Sequence, residues 1–386
     1  MPWKESSVVN ERLKFVLRVM SGERVTDLCR EVGISRKTAY KYVNRYELLG
    51  AVGLYDEPPV AERLPHKVKA EVEQLIVSAR QEHPTWGPLK LRAWLLAKQP
   101  ALALPAVSTF GRVLSRNKLV AGARRPHPRP APSTTPTSMA HEPNSVWCCD
   151  YKGQFRLGNG RYCYPLTVTD LFSRYLLGCE GMEKIDGEAA KTAFEQVFRE
   201  HGMPHAMLSD NGSPFATVGP HGLSRLSVWW LRLGIQHQRI EPGHPEQNGA
   251  HERMHLTLKR ETTRPPGANQ LQQQERFDRF RELFNVERPH EALDQKPPAS
   301  VYRRSTRPFP DPLREPEYPL HDLTLRVDGY GGIYFNGSRI RIGLALVGQL
   351  VGLREVEDDV YLVHFVSMQL GKVDLRSRPA RAHLVQ

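Results

Sequence analysis

The stretch "AHERMH", residues 250–255, contains the pattern His-Glu-x-x-His. On a helix this spacing puts His251 and His255 on one face, where two imidazoles can bind zinc while Glu252 serves as general base. The pattern therefore raises the hypothesis of a zinc peptidase, with Glu252 serving a different metal as the alternative.

A zinc peptidase needs a third metal ligand. The metzincin spacing would put a glycine and then a histidine at positions where this chain has Leu258 and Glu261. Glu275 and Glu282 lie further downstream as other possible ligands. The peptidase hypothesis also leaves the rest of the sequence unexplained, and such short motifs often occur by chance.

Three acidic residues stand out by position. Asp150 lies within the apolar stretch "VWCCDY", Asp210 ends the short strand pattern "MLSD", and Glu252 opens a helix after a Gly/Pro-rich loop. A carboxylate within an apolar strand is costly unless a cation meets it. If the three converge, they form a site for Mg²⁺, and two such ions about 4 Å apart can clamp both oxygens of a phosphodiester displacement.

The elements around these acids alternate between strand and helix. From about residue 146 the sequence predicts two strands joined by a hairpin at Gly158-Asn159-Gly160, and then a third strand. Amphipathic helices alternate with short strands after that, the first helix ending at Gly202. This order predicts a mixed sheet with helices on its faces.

The positive charge is concentrated at the N-terminal end. The chain has a net charge of +12, and residues 1–140 hold 23 Lys and Arg against 12 Asp and Glu. A basic segment ahead of a neutral body is typical of proteins that bind a polyanion such as nucleic acid, although a solvated basic face would give the same count.

Two helical units occupy the basic segment. Residues 25–50 predict a helix, a turn at Gly33 and a second helix capped by Ser35, the pattern of a helix-turn-helix. A second three-helix unit follows, with Pro88 in the first turn of a helix and Trp86 and Trp94 in its core. The residues expected to face DNA in the two units are Arg36, Lys37, Lys41, Asn44, Arg45, Arg112, Arg116 and Lys118.

Two further segments complete the organisation. Residues 123–143 are rich in proline and small residues, and this predicts an extended linker whose Arg124 and Arg125 follow a phosphate backbone or serve only as a tether. Near the C-terminus, Asn336-Gly337 and residues 357–359 mark hairpin turns between short strands, which predict a small β-barrel.

The sequence also indicates a compartment. No apolar run approaches the length of a membrane helix, and the N-terminus lacks an apolar signal-peptide core. The five cysteines form no Cys-x-x-Cys pair, which suits a reducing environment. We expect a bacterial, cytoplasmic and nucleoid-associated protein without a membrane partner.

The motifs "WCCDYKG", "LSDNGSPF" and "GHPEQNGAHERMHLTLK" resemble the three catalytic motifs of DDE transposases related to retroviral integrases. "FNVERPHEALDQKPPASVY" resembles the segment after the core in bacterial insertion-sequence transposases. The resemblance covers roughly residues 10–375. It implies a ribonuclease H-like core in which Asp150, Asp210 and Glu252 hold two Mg²⁺ ions, with Mn²⁺ as a substitute.

The third acid has a competitor. Many members of this family have thirty-five residues between the second and third acids, and Glu246 fits that count. Glu252, however, occupies the place of the helical glutamate after the Asn-Gly pair, and the segment before it looks longer than usual. A ligand on a helix is held more rigidly than one on a glycine-flanked loop, so we predict Glu252.

The resemblance extends to residues that would meet DNA. Lys259 matches a position that contacts the DNA end, and Asn248 matches a polar position in the active-site loop. His255 is expected either to meet a phosphate or to be merely exposed. Asp170, in the turn "TDLFSR", is expected to stabilise its turn.

These observations together predict a multidomain α/β protein. It has N-terminal helix-turn-helix modules, a ribonuclease H-like mixed-sheet core and a C-terminal small β-barrel. The expected domains are a helix-turn-helix domain at 1–55, a second helical DNA-binding domain at 60–122, the linker at 123–143, the core with trailing helices at 144–305 and the barrel at 318–376.

The predicted function is that of an insertion-sequence transposase. It would bind the terminal inverted repeats of the element, cleave the DNA there and join the 3′-hydroxyl to target DNA, acting on double-stranded DNA as at least a homodimer. The alternatives are an inactive DNA-binding regulator and the zinc peptidase. A tyrosine or serine recombinase is disfavoured because its arginine cluster is not found.

Overall fold

The structure is a computed structural model of the 386-residue chain. It describes residues 7–56, 68–120, 140–241, 243–376 and 381–384. None of the helices in these ranges is both long and apolar enough to span a membrane. The chain divides into two compact units, Met1–Val68 and Lys69–Gln386.

The first unit contains a helix-turn-helix, as the sequence predicts. Its helices are α1 (Val8–Met20), α2 (Val25–Val32) and α3 (Arg36–Leu49). Gly33 ends α2 with φ of 74°, a left-handed conformation that glycine adopts without strain. The Ser35 hydroxyl accepts a hydrogen bond from the Thr38 amide and so caps α3.

The second unit begins with another three helices. They are α4 (Ala70–Glu82), α5 (Pro88–Lys98) and α6 (Val107–Arg116). We call residues 70–119 the second helical module. Trp86 and Trp94 are buried in its core, which confirms the sequence expectation. The Trp94 indole donates a hydrogen bond to Glu287, so this module packs against the segment that follows the core sheet.

The core is a mixed six-stranded sheet. Its strands are β1 (Val146–Tyr151), β2 (Phe155–Arg156), β3 (Tyr162–Asp170), β4 (Leu176–Met182), β5 (Ala206–Ser209) and β6 (Gln236–Arg239). The main strand order is β4-β3-β1-β5-β6, with β2 also paired to β3. The first three of the main strands are antiparallel, and β5 and β6 run parallel to β1. This topology confirms the ribonuclease H-like fold.

Helices cover both faces of this sheet. They are α7 (Gly187–His201), α8 (Arg225–Arg232), α9 (Gly249–Thr262) and α10 (Gln270–Glu282). One face packs its buried aromatic side chains, such as Trp147, against α7 and α8. On the other face, Met254 and Leu258 of α9 join Phe277 and Phe280 of α10 in a second cluster. Alternation along the strands therefore decides which helix a strand residue faces.

The C-terminal region is all β, as predicted, although it is built from two sheets. Its strands are β7 (Leu323–Arg326), β8 (Gly332–Phe335), β9 (Ser338–Arg341), β10 (Leu350–Glu357), β11 (Val360–Phe365), β12 (Met368–Asp374) and β13 (Arg381–Leu384). Strands β8 and β9 form a ribbon around Asn336-Gly337, and the other five form an open sheet. In the described residues, hydrogen bonds do not close this sheet into a ring; both sheets share one apolar core.

Candidate active site at the edge of the core sheet

Strand register places two of the predicted acids side by side. Strands β1 and β5 are parallel neighbours, and Cys148 pairs with Leu208. Asp150 lies two residues after Cys148, and Asp210 lies two residues after Leu208. Because the strands are parallel, both carboxylates leave the sheet at the same level along the strands. Cys148 and Leu208 belong to the small apolar cluster that includes Ala250 of α9, so the two acids point to the α9 face.

Local hydrogen bonds hold Asp210 in place. Its Oδ1 accepts a hydrogen bond from the Gly212 amide at 3.0 Å, and the Asn211 side chain donates to the Ile240 carbonyl at 2.8 Å. A Cβ at position 212 would lie 3.0 Å from Asp210 Oδ2. The Asp-Asn-Gly sequence thus fixes a carboxylate at the end of β5, and glycine leaves the oxygens uncovered.

The electrostatics of Asp150 link the three acids. Burial raises the pKa of Asp150 to about 7. The negative charge of Asp210 raises it as well, and that of Glu252 does so to a smaller extent. Asp210 and Glu252 are thus each near enough to Asp150 for their charges to act on it. The site therefore combines two acids fixed by the sheet with Glu252, an exposed acid in the first turn of α9.

The two histidines of the His-Glu-x-x-His pattern face the sheet. His251 Nε2 and His255 Nε2 each lie 2.7 Å from the Thr167 hydroxyl, and His251 Nδ1 lies 2.8 Å from the Thr169 hydroxyl. Both rings are buried, and burial lowers the pKa of His251 to about 3. Both nitrogens of His251 and Nε2 of His255 thus meet sheet hydroxyls, and the two histidines anchor α9 to the sheet.

The burial of His255 corrects one expectation and adds a contact. A side chain only 7% exposed does not fit the predicted phosphate contact or an exposed position. Its Nδ1 instead lies 3.7 Å from Asp150 Oδ2. Because the Thr167 hydroxyl also bonds to the Asp150 backbone carbonyl at 3.1 Å, one network connects α9 to the strand that carries the first acid.

Removal of the shared hydroxyl tests this anchor. We expect Thr167→Val, which preserves side-chain shape, to lower the free energy of unfolding by about 1–3 kcal/mol, because buried imidazoles lose their partner. Thermal or urea unfolding measures the change. Thr257→Val is the matched control: its hydroxyl bonds only to the Arg253 carbonyl within α9, and a change of about 0.5 kcal/mol or less is expected. Equal effects of both substitutions would contradict the anchor.

Sequence reasoning missed Lys152. This residue follows Asp150 by two positions, so it emerges on the same side of the strand end. Burial lowers its pKa, and the positive charge of Lys259 on α9 acts in the same direction. Two lysines therefore lie close together beside the acids. The alternation of side chains after β1 is the signal that could have identified Lys152.

The donor atoms of the three acids suit a hard divalent cation. They are carboxylate oxygens, the ligands that Mg²⁺ prefers, and the nearby imidazoles are occupied elsewhere. In the part of the chain that the structure describes, the three acids do not have ligand atoms within 4.8 Å of one another; Glu82, His83 and Glu287 do. Mutual repulsion among like charges favours the wider spacing of the three acids.

The alternative third acid lies on the loop side of α9. Glu246 belongs to the single helical turn Pro245–Asn248 immediately before α9. Asn248 in the same turn is buried, with 6% exposure, so the predicted DNA contact does not fit its position. The choice between Glu252 and Glu246 stays a prediction.

The predicted DNA-facing residues of the helical units mostly point to solvent. On α3, the exposed ones are Arg36, Lys37, Lys41 and Asn44, and on the second helical module they are Arg112, Arg116 and Lys118. Arg45 is an exception to the expected outward projection, because its guanidinium donates to the Tyr55 carbonyl at 2.8 Å. Arg124 and Arg125 lie outside the described residues.

Family models match most segments of the chain. Two models described as integrase core domain match residues 140–245 and 233–298. A helix-turn-helix domain model matches residues 11–59, and a homeodomain-like domain model matches residues 38–114. The model of the C-terminal domain of IS481 family transposases matches residues 322–381.

Individual relatives are more distant. An uncharacterized 39.2 kDa protein of insertion element IS476 from Xanthomonas euvesicatoria is 27% identical over 226 residues, which are 58% of this chain and 62% of that protein. An uncharacterized 31.7 kDa protein of insertion element IS407 from Burkholderia multivorans is 27% identical over 176 residues, or 45% and 61%. The chain thus spans about three fifths of the length of each of these relatives.

The comparison with solved structures gives matches of low similarity. The simian T-cell lymphotropic virus intasome in complex with PP2A regulatory subunit B56 gamma contains a chain that is 15% identical, with a TM-score of 0.38. The alignment covers 76% of the present chain and 97% of that chain.

Proposed function

We propose that this chain is a DNA transposase, because integrase core domain models match residues 140–245 and 233–298 and the model of the C-terminal domain of IS481 family transposases matches residues 322–381. It would bind the terminal inverted repeats of its element, cleave the DNA at the element ends and join the 3′-hydroxyl to target DNA. The observation that supports this most directly is the parallel pairing of β1 and β5, which brings Asp150 and Asp210 to the same edge of the sheet, with Glu252 on α9 near enough for its charge to act on Asp150.

The reaction requires an activated nucleophile and a group that stabilises the negative charge that develops on the departing oxygen. With the three carboxylates as ligands, a pair of Mg²⁺ ions, or Mn²⁺ in their place, would supply activation of a water or a 3′-hydroxyl and neutralise the departing oxygen. Asp150 and Asp210 fix the position of the site because the sheet holds both. Glu252 would complete it from α9, whose orientation depends on the hydrogen bonds of His251 and His255 with the Thr167 hydroxyl.

The residues around the acids suit a polyanionic substrate. Lys152 and Lys259 lie near each other beside Asp150, where they would offset the charge of a DNA backbone. Glu252 and Lys259 share one face of α9, being seven residues apart, so the helix presents a ligand and a phosphate contact together. A site without this positive charge would repel DNA.

The helical units are proposed to supply sequence recognition. Helix α3 follows the turn at Gly33 and exposes Arg36, Lys37 and Lys41 along its length. Helices of this kind enter the major groove, where arginine and lysine reach base edges and phosphates. The exposed Arg112 and Lys118 would extend the contact from the second helical module.

We expect Arg36→Ala combined with Lys41→Ala to weaken binding to element-end DNA. If both groups contact phosphates, the slope of log affinity against log salt should fall by about 2. Fluorescence anisotropy with labelled duplex at several salt concentrations measures it. Lys14→Ala provides a control in the same unit, since Lys14 on α1 is paired with Glu11 at 2.9 Å. An unchanged slope in the double variant would exclude α3 as the reading helix.

Two element ends must be joined in one complex, so the proposal includes at least a homodimer on double-stranded DNA. It also places the protein in the bacterial cytoplasm with the nucleoid. The direct test is strand transfer: a labelled element-end duplex is incubated with a supercoiled plasmid and Mg²⁺. Covalent joining of label to plasmid, lost when a chelator is added, is the expected result. Binding without any joining under these conditions would refute the enzymatic proposal.

A further inference from the structure

A second group of metal-ligating side chains lies apart from the three acids. Glu82 and His83 are at the C-terminal end of α4, and Glu287 ends the π-helical turn Leu283–Glu287. One ligand atom from each lies within 4.8 Å of the other two. Turns of π-helix are uncommon and often occur at functional sites.

His83 is the centre of this group. Its side chain is 4% exposed, and its Nε2 is buried without a hydrogen-bond partner. The nitrogen lies 3.7 Å from Glu82 Oε1 and 3.9 Å from Glu287 Oε2. A buried polar atom without a partner is rare in folded proteins, and this one points between two carboxylates.

The surrounding residues fix the orientation of both ligands. The His83 ring is stacked on Trp86 at 3.7 Å with an angle of 6°, and the edge of Trp94 lies 4.6 Å away. The Trp94 indole N–H donates to Glu287 Oε2 at 3.1 Å. Hydrogen bonds that orient a ligating group in this way accompany most protein metal sites.

One cation already lies near the two carboxylates. Lys98 Nζ is 3.8 Å from Glu82 and 3.9 Å from Glu287, above the Trp94 ring. Its side chain is half exposed, so the ammonium group can move into solvent without breaking a buried contact. The distances of nearly 4 Å are those of a loose ion pair, which an ion of higher charge can displace.

We propose that Glu82, His83 and Glu287 form a binding site for a divalent transition-metal ion of the zinc class. One imidazole nitrogen with two carboxylate oxygens suits Zn²⁺ better than Mg²⁺. Two ligands about 2.1 Å from a tetrahedral ion are about 3.4 Å apart. The two pairs that His83 forms with Glu82 and Glu287, at 3.7 and 3.9 Å, therefore need to close by only a few tenths of an ångström. A fourth position remains for water or substrate.

The location of this site gives it a structural consequence. Glu82 and His83 belong to the second helical module, whereas Glu287 belongs to the segment after α10. The bound ion therefore ties the module to the core, next to the hydrogen bond from Trp94. Metal occupancy would stabilise that packing by mass action.

The experiment uses full-length protein carrying Asp150→Asn and Asp210→Asn, so that the three-acid site does not contribute. After treatment with chelator, Zn²⁺ is titrated by calorimetry and Co²⁺ by visible absorption. We expect one ion per chain and Co²⁺ bands typical of nitrogen ligation. His83→Ala and, separately, Glu287→Gln should weaken Zn²⁺ binding by about 100-fold or more. Glu82→Gln, at an exposed position, serves if His83→Ala fails to fold.

Two further variants distinguish a metal site from an ion-pair network. Lys98→Met should tighten Zn²⁺ binding, since the competing ammonium is gone. Glu200→Gln is the matched control, because Glu200 lies 3.3 Å from the buried His201 without a third ligand in the described residues, and it should change nothing. Absence of Zn²⁺ binding in the parent protein, or equal binding by the parent and the Glu287→Gln variant, would overturn the proposal.

Discussion

Asp150→Asn is expected to reduce strand transfer by about a thousand-fold or more while binding to element-end DNA survives. If Asp150 is a metal ligand as proposed, its loss removes several kcal/mol of transition-state stabilisation, and each tenfold in rate corresponds to about 1.4 kcal/mol. The same substitution removes the carboxylate that burial, Asp210 and Glu252 all disfavour. In the presence of chelator we therefore expect the variant to unfold at a higher temperature than the parent.

Glu252→Gln and Glu246→Gln locate the third ligand. We expect Glu252→Gln to match Asp150→Asn in strand transfer, and Glu246→Gln to retain most activity. Loss confined to the Glu246 variant would reverse the assignment. If the parent binds element ends, and neither it nor any variant joins DNA, the inactive DNA-binding regulator is the better account of the chain.

Glu261→Ala is expected to lower the free energy of unfolding by about 3–5 kcal/mol, because it leaves a buried arginine without its partner. Arg288 Nη1 lies 2.7 Å from Glu261 Oε1, and the two side chains are only 9% and 15% exposed. The Thr85 hydroxyl also donates to Glu261, so three segments of the second unit meet there. Urea unfolding of the second unit measures the loss.

Two comparisons separate charge pairing from packing at this site. Glu183→Ala breaks an ion pair on the surface, in which the side chain of Arg161 is 71% exposed and that of Glu183 is 65% exposed. This substitution should lower the free energy of unfolding by about 1 kcal/mol or less. Glu261→Leu combined with Arg288→Met replaces both charges by apolar groups and should recover most of the loss. A double variant as unstable as Glu261→Ala would show that the charges themselves are not the cause.

Several helix ends and turns could be predicted because the signals for them are local. Gly202 ends α7, Asn336-Gly337 forms the β8–β9 turn and Ser35 caps α3, each where the sequence predicts it. These features depend on backbone conformations that only a few residue types favour. The expected first strand proved to be two, because β1 ends at Tyr151 and β2 begins at Phe155.

The surroundings of the acids could not be predicted because they depend on distant contacts. Thr167 meets His251 across 84 residues of sequence, and Trp94 meets Glu287 across 193. No periodicity in the sequence encodes such pairs. For the same reason His255, Asn248 and Arg45 looked available for DNA, although the structure buries the first two and bonds the third to the backbone.

The role of Asp170 could be predicted from the local sequence alone. Its side chain accepts hydrogen bonds from the Asn144 amide and from the amide and hydroxyl of Ser173. The residue is fully buried at the end of β3, and it stabilises the turn as the sequence predicts. Backbone amides and a hydroxyl thus satisfy Asp170, whereas the charges of two other acids act on Asp150.

The pairing of β1 with β5 brings Asp150 and Asp210 to the same level of the sheet. This placement depends on strand register and does not depend on the number of residues between the two acids. The proposed third acid, Glu252, lies on a helix that the hydroxyl of Thr167 contacts. Loops between residues 211 and 248 could therefore differ in length without moving Glu252, provided that α8, β6 and α9 keep their places. Ala216 and Leu223 form an isolated β-bridge, so the loop between them is closed by its own backbone pairing. A count of the residues between acids therefore does not by itself identify the third acid, whereas the helix that carries the acid and its contacts with the sheet can do so.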